Sequence, residues 1–385
     1  MSDRIFRVPP TIHVGEGAAA HVGEEVKNLG ASRLLLITDA FLAKSGTIKP
    51  VMDSLAAVGV EVAVYDQVNA EPTLNHVAEC LALCKEFKSE IIIGCGGGSP
   101  IDVAKAVSAL AVNGGKIQDY MGIGKVPKRG LPIIAVPTTA GTGSEATCTT
   151  IIDDTEHNVK MLIISPYLLP SVAVVDPLLT LGMPKGITAA TGTDALTHAM
   201  EAYVSRKAQP MSDAYALSAF KLIYENLPTA WAEPFNLAAR TKVHLGSLQA
   251  GIAFSNASVA LVHGMSRPVG AIFHVAHGVS NAALLGVVTR FSLSGNYERY
   301  ADLAVAMGVP DKGAIEDIAM AGAEKVQALI QKLEIPSLTQ LGVTREKLDS
   351  FVGKMADDAI ASGSPGNNPR LATKEEIIKL YYEAL

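Results

Sequence analysis

The sequence predicts an α/β N-terminal domain with a parallel sheet, residues 1–184, and an all-α C-terminal domain, residues 185–385. Three observations predict it. Short apolar runs alternate with helical patterns through the first half. A glycine cluster joins one apolar run directly to a helix start. After about Lys185 the strand-like runs thin out and long helical patterns take over. Alternation of the first kind argues for βαβ units and a parallel sheet covered on both faces. In order, residues 34–37 form a strand ending at Thr38-Asp39, 47–58 a helix, 60–65 a strand and 73–87 a helix. Residues 90–94 form the next strand, 101–111 a helix and 131–136 a strand closed by Pro137. Beyond the Pro177 to Pro184 junction, helices are expected over 193–205, 212–227, 236–255 and 312–333. Ligands commonly bind in the cleft between two such domains.

Composition narrows the function classes. Of 385 residues, 49% are hydrophobic and 18% charged, which supports a large core and excludes a disordered chain. The net charge of −6 is spread along the chain with no block of like charges, so neither a nucleic-acid arm nor a membrane patch is expected. Mean hydropathy is +0.27, yet the apolar stretches break before the roughly 18–20 residues of a spanning helix. Met1 to Pro10 carries Asp3, Arg4 and Arg7 and does not read as a secretory signal. A cytoplasmic protein that meets small molecules and its own copies is expected. Cys80, Cys84, Cys95 and Cys148 form no CxxC pair, and Cys80 and Cys84 read as buried thiols on a core helix.

Two loops suit an anionic ligand. Residues 91–102, IIIGCGGGSPID, run from strand through glycines into a helix. Gly97 and Gly98 let backbone N–H groups approach a phosphate, and the helix N-terminus adds its dipole. Ser99 is expected as N-cap with Pro100 at the first helical position. The pattern is neither GxGxxG nor GxxxxGK[ST], so a tight turn without a ligand stays open. Thr138, Thr139, Thr142 and Ser144 bring hydroxyls into a loop after the next strand, fit for phosphate and ribose or simply solvated. Asp39 can accept from ribose hydroxyls and repel a 2′-phosphate, favouring NAD over NADP, or can cap a helix.

The sharpest feature is TGTDALTHAMEA, residues 191–202. Asp194 and His198 stand i, i+4 on one helical face. In such apolar company they either bond each other or grip a metal. His263 and His277 lie in apolar surroundings, each followed by glycine, with Pro268 and Gly270 arguing against one continuous helix between them. Three histidines and a carboxylate suit Fe(II), Zn(II) or another first-row ion better than Mg or Ca.

These stretches resemble the iron-containing (group III) alcohol dehydrogenases. The matches are GGGSPIDVAK at 96–105, PTTAGTGSEAT at 137–147, DPLLTLGMP at 176–184, TAATGTDALTHAMEAYVS at 188–205, HGMSRPVGA at 263–271, AHGVSNAALL at 276–285 and NPR at 368–370. The resemblance implies a dinucleotide-binding first domain and a helical metal-binding second domain, with the active site in the cleft between them. It implies Fe(II), with Zn(II) as the alternative, on Asp194, His198, His263 and His277. It implies NAD contacts at Asp39, Gly97, Gly98, Ser99, Asp102, Thr138, Thr139, Thr142, Ser144 and Lys160. It also implies hydride transfer to or from a small alcohol or aldehyde, in a homodimer or larger homo-oligomer.

Three positions depart from the family pattern. Arg267 stands where the family usually has a second histidine four residues after the third ligand. Ala276 replaces the usual proline before the last ligand, and Glu71 stands where asparagine is common. Arg267 near the metal could recognise a carboxylate, phosphonate or sulfonate, making an anionic aldehyde the substrate. It could equally pair with a structural carboxylate or a cofactor phosphate. The other classes weighed are a zinc glycerol dehydrogenase-like enzyme, a dehydroquinate-synthase-like lyase and a non-catalytic nucleotide-binding assembly protein.

Overall fold

The computed structural model describes all residues except 1, 2, 70 and 158. The chain divides into two compact units: Arg7–Leu181, and Gly182–Leu385 joined by the N-terminal residues up to Phe6.

In the first unit the order is β1 (Thr11–Val14), α1 (Val22–Asn28), β2 (Arg33–Ile37), α2 (Ala40–Ser45), α3 (Lys49–Ala57), β3 (Glu61–Tyr65) and α4 (Leu74–Glu86). Then follow β4 (Ile91–Gly96), α5 (Gly98–Asn113), β5 (Gly122–Ile123), β6 (Ile133–Pro137), β7 (Thr149–Asp154), β8 (Val159–Ile164) and β9 (Val172–Val175). Six strands form one sheet in the order β1-β9-β6-β4-β2-β3, with every pairing parallel. Side chains alternate across it, as the period of two requires. Leu34, Leu36, Ile91 and Ile93 meet Val22, Val26, Val51 and Leu55 on one face. Leu35, Ile37 and Ile92 meet Val77, Cys80, Cys84, Val103 and Leu110 on the other. The sheet is therefore parallel and covered on both faces, as the alternation predicts.

The unit also holds a second, three-stranded sheet, β5-β8-β7. In it β7 and β8 form an antiparallel hairpin that the sequence pattern did not predict. Its turn is built by Asp154, whose carboxylate accepts from the backbone N–H of Glu156 and of His157, each at 3.1 Å. Helix α2 was also unforeseen.

The second unit carries no β-strand among the described residues. Its helices are α6 (Lys185–Val204), α7 (Pro210–Ala232), α8 (Leu237–Ala257), α9 (Leu261–Phe273), α10 (His277–Ser292), α11 (Tyr297–Ala306), α12 (Ile315–Lys332), α13 (Arg345–Ala361) and α14 (Lys374–Glu383). Helix α6 is the centre. It packs against α7, α8 and α10 and is buried almost continuously from Thr193 to Val204. Such a helix needs small residues wherever a neighbour approaches. Gly278 supplies one on the facing side: a Cβ there would lie 2.7 Å from the Ala190 carbonyl oxygen of α6. The first turn of α10 can therefore press directly on the turn of α6 that carries the predicted ligands. No single helix among the described residues is long and apolar enough to cross a membrane.

Candidate functional site

Asp194, His198 and Glu201 lie at i, i+4 and i+7 on α6, so one helical face carries all three. His263 is in the first turn of α9, and His277 is the first residue of α10. As expected, no single continuous helix joins His263 to His277, but the break is not made by Pro268, which lies within α9. The break falls at His274, which caps the helix in a left-handed conformation with φ of 56°.

The predicted ligands come together. Asp194 Oδ1 stands 3.5 Å from His263 Nε2 and 3.8 Å from His277 Nε2. These three residues can each offer an atom to one ion. His198 adjoins that cluster rather than completing it. Its Nδ1 is 3.9 Å from Asp194 Oδ2, and its ring stacks on His263 and Phe254 at centroid distances of 4.5 and 4.2 Å.

Two further residues organise the cluster, and the sequence reading assigned neither. Glu201 accepts from His263 Nδ1 at 2.6 Å, from the Ala260 N–H at 2.9 Å and from the Val262 N–H at 2.6 Å. One carboxylate thus caps the start of α9 and claims the Nδ1 proton of its histidine. Nε2, the nitrogen that would ligate a metal in exchange for its proton, is left facing Asp194. Asn281, one turn after His277, donates its amide to Asp194 Oδ1 at 2.6 Å and lies 3.1 Å from Nε2 of both His263 and His277. The helical spacing of Glu201 from Asp194 was visible in the sequence; its partners on α9 were not.

Electrostatics favour a cation. Burial alone would raise the Asp194 carboxyl, but His198, His277 and His263 hold it well below the usual carboxylate range. Burial pulls His263 down, yet Glu201 and Asp194 outweigh it and push the imidazole up to about 9. Burial lowers His277 to about 3. The site therefore attracts positive charge at the edge between Asp194 Oδ1 and His263 Nε2, where a proton or a metal ion can sit. A tetrahedral ion with bonds of about 2.1 Å needs ligand atoms roughly 3.4 Å apart, close to the 3.5 and 3.8 Å found. Oxygen and nitrogen donors without sulfur fit Fe(II) or Zn(II).

The helix after the glycine turn starts two residues earlier than its pattern predicts. Gly97 is the N-cap and α5 begins at Gly98, so Ser99 is not the cap and Pro100 is third in the helix. Proline is tolerated there because first-turn N–H groups have no intrahelical partner. The hydroxyl loop lies against this turn. A Cβ on Gly98 would fall 2.8 Å from Thr142 Cγ2, and one on Gly97 would lie 3.7 Å from Thr139 Oγ1. The loop is not a solvated one: Thr138 and Ser144 are buried.

Asp102 and Ser144 face inward. Asp102 accepts from Ser144 Oγ at 2.6 Å and from the Ile151 N–H at 2.9 Å. Lys105, fully buried, donates to Ser144 Oγ, Thr147 Oγ1 and the Thr149 carbonyl at 2.9, 2.9 and 2.7 Å. Lys105 and Asp102 thus tie the hydroxyl loop to α5. Asp39 caps α2, accepting from the Leu42 N–H at 2.9 Å. Lys160 on β8 lies 3.3 Å from Glu71 and 4.0 Å from Asp153, so the departure at Glu71 meets the predicted cofactor lysine.

Glu145 in the same loop gives a pH prediction. Burial pushes its carboxyl from 4.5 up to about 7, and Lys105 opposes this only in part. Across that range the folded protein holds a proton that the unfolded chain releases, so stability contributed by Glu145 falls as pH rises from about 4.5 to about 7. Relative to Glu145→Gln, the wild type should lose about 3 kcal/mol between pH 5 and pH 8 in urea unfolding. A difference independent of pH would refute the buried, protonated carboxyl.

Comparison with known proteins decides the family. The description "Iron-containing alcohol dehydrogenase" matches residues 9–177, and "Fe-containing alcohol dehydrogenase family, C-terminal" matches residues 188–385. The chain belongs to the iron-containing alcohol dehydrogenases. Within this family it is 36% identical to the NAD-dependent methanol dehydrogenase of Bacillus methanolicus, covering 99% of each chain. It is 39% identical to the 1,3-propanediol dehydrogenase of Klebsiella pneumoniae, covering 100% of each. A crystal structure of a 1,3-propanediol oxidoreductase superposes with a TM-score of 0.97 at 39% identity over 100% of both chains.

Proposed function

We propose that this iron-family protein is a metal-dependent, NAD-linked alcohol dehydrogenase and aldehyde reductase acting on small alcohols or aldehydes. The observation that carries this reading is the cluster of Asp194, His263 and His277, the first two buried and the third half-buried, with Glu201 holding His263 Nδ1. Asp194, His263 and His277, with His198 beside them, would hold the ion, Fe(II) or alternatively Zn(II). Bound there, it would supply Lewis acidity toward an alcohol or carbonyl oxygen, with NAD as the hydride carrier.

The chain's own residues do the rest. Asp194 supplies negative charge that offsets part of the ion's and moderates its acidity. Glu201 fixes the orientation of His263. The α5 N-terminus at Gly97, Gly98 and Ser99, with Thr138, Thr139 and Thr142, would cradle the pyrophosphate. Asp102, Ser144 and Lys105 would brace that cradle, and Asp39 and Lys160 would face the two riboses. Gly98→Ala should push Thr142 aside and weaken NADH binding about tenfold, read by fluorescence titration; unchanged affinity would remove the cradle from the proposal.

We further propose a cytoplasmic homo-oligomer, a dimer or larger. Four buried free thiols suit a reducing compartment. The test of the activity is NADH oxidation by protein loaded anaerobically with Fe(II), or with Zn(II) in parallel, against a panel of small aldehydes. Turnover is expected with at least one metal, and none with either would overturn the reading.

A further inference from the structure

Arg267 sits one helical turn beyond His263, so both side chains leave the same face of α9. It is half-buried, and its Nη1 donates to the Ser364 hydroxyl at 3.0 Å. Its Nε is enclosed with no acceptor among the described residues. Among those residues Arg33, Arg299 and Arg370 form ion pairs with carboxylates, and Arg267 does not. The nearby carboxylates are occupied. Asp194 faces the histidines and Asn281, and Glu201 is taken up by His263 and the start of α9. Among the described residues, then, no structural ion pair accounts for an arginine here.

Charge balance points the same way. Asp194 and Glu201 bring two negative charges. Arg267 with a divalent ion brings three positive ones. A guanidinium held in a low-dielectric site without a hydrogen-bonded counter-charge is costly, and Glu201 acts on Arg267 only through space. Ser364 is the acceptor of Nη1, and no described residue accepts from Nε. A guanidinium with an unmet N–H donor matches a carboxylate, phosphonate or sulfonate.

We propose that Arg267 binds an anionic group of the substrate, and that the preferred substrates are short aldehydes or alcohols bearing a carboxylate, phosphonate or sulfonate. This rests on the hydride-transfer reading above and names its substrate class. Arginine cannot serve as a proton acceptor at neutral pH, so its contribution is to recognition.

The test pairs succinic semialdehyde with its uncharged methyl ester. Wild-type metal-loaded protein should prefer the acid in kcat/KM by about 10- to 100-fold, the range of a charged hydrogen-bonded pair. Arg267→Met should erase most of that ratio, and Arg267→Lys, which keeps charge without the fork, should retain part of it. Binding gives a second readout: butyrate should raise the wild-type Tm more than butyramide, and the difference should vanish in Arg267→Met. If the wild type treats acid and ester alike, the proposal is overturned even if Arg267→Met fails to fold. It is equally overturned if Arg267→Met lowers both substrates by the same factor. Reduction of the ester alone would sink this inference and leave the hydride-transfer reading standing; reduction of neither would sink both.

Discussion

Asp194→Ala is expected to strip the protein of its metal on dialysis and to lower kcat/KM for aldehyde reduction by about a thousandfold or more. The magnitude follows from losing a Lewis acid that contributes several kcal/mol. Asp194 is the one carboxylate in the ligand cluster. It faces Nε2 of His263 and His277 and accepts the Asn281 amide. Without it, only neutral nitrogen donors remain, and the ion has no charged ligand. Metal content by atomic absorption, measured beside kcat/KM, checks this. A variant that keeps stoichiometric metal and wild-type turnover would show that Asp194 is not a ligand.

The second large effect is expected at Glu201. Glu201→Leu removes the acceptor of three buried donors at once: His263 Nδ1 and the N–H groups of Ala260 and Val262. Leaving such donors unpaired should cost on the order of 3–5 kcal/mol of stability. Metal affinity should fall by about 10- to 100-fold, since the imidazole loses the group that orients it. Glu201→Gln separates the two effects. Its oxygen can still accept one bond, so the stability loss should shrink while most of the affinity loss remains. Urea unfolding with a parallel metal titration reads both, and a Glu201→Leu variant of wild-type stability would contradict the role given to this carboxylate.

Much of this was legible in the sequence because it depends on local periodicity. The alternation of Leu34 to Ile37 and Ile91 to Ile93 sets which side chains reach which face of the sheet. The four-residue step from Asp194 to His198 sets their shared helical face. What escaped depends on partners far along the chain. Glu201 acquires its role only because the start of α9, some sixty residues on, docks against it. Asn281 belongs to the site because Gly278 lets α10 press onto α6 near Ala190. Arg267 was visible as a departure from the family pattern. That it has no carboxylate partner among the described residues became clear only once Ser364 and Glu201 were in place around it. The β7–β8 hairpin was missed because its turn is made by the charged Asp154 rather than by a glycine or proline signal.

The central claim is that hydride transfer requires one divalent ion on the Asp194, His263 and His277 cluster. Its most direct test is an anaerobic titration of chelator-stripped protein with Fe(II), following bound ion and NADH-dependent aldehyde reduction in the same samples. Activity should rise from near zero in step with binding and level off at a single ion per chain. Stripped protein that turns over at the rate of loaded protein would contradict the claim.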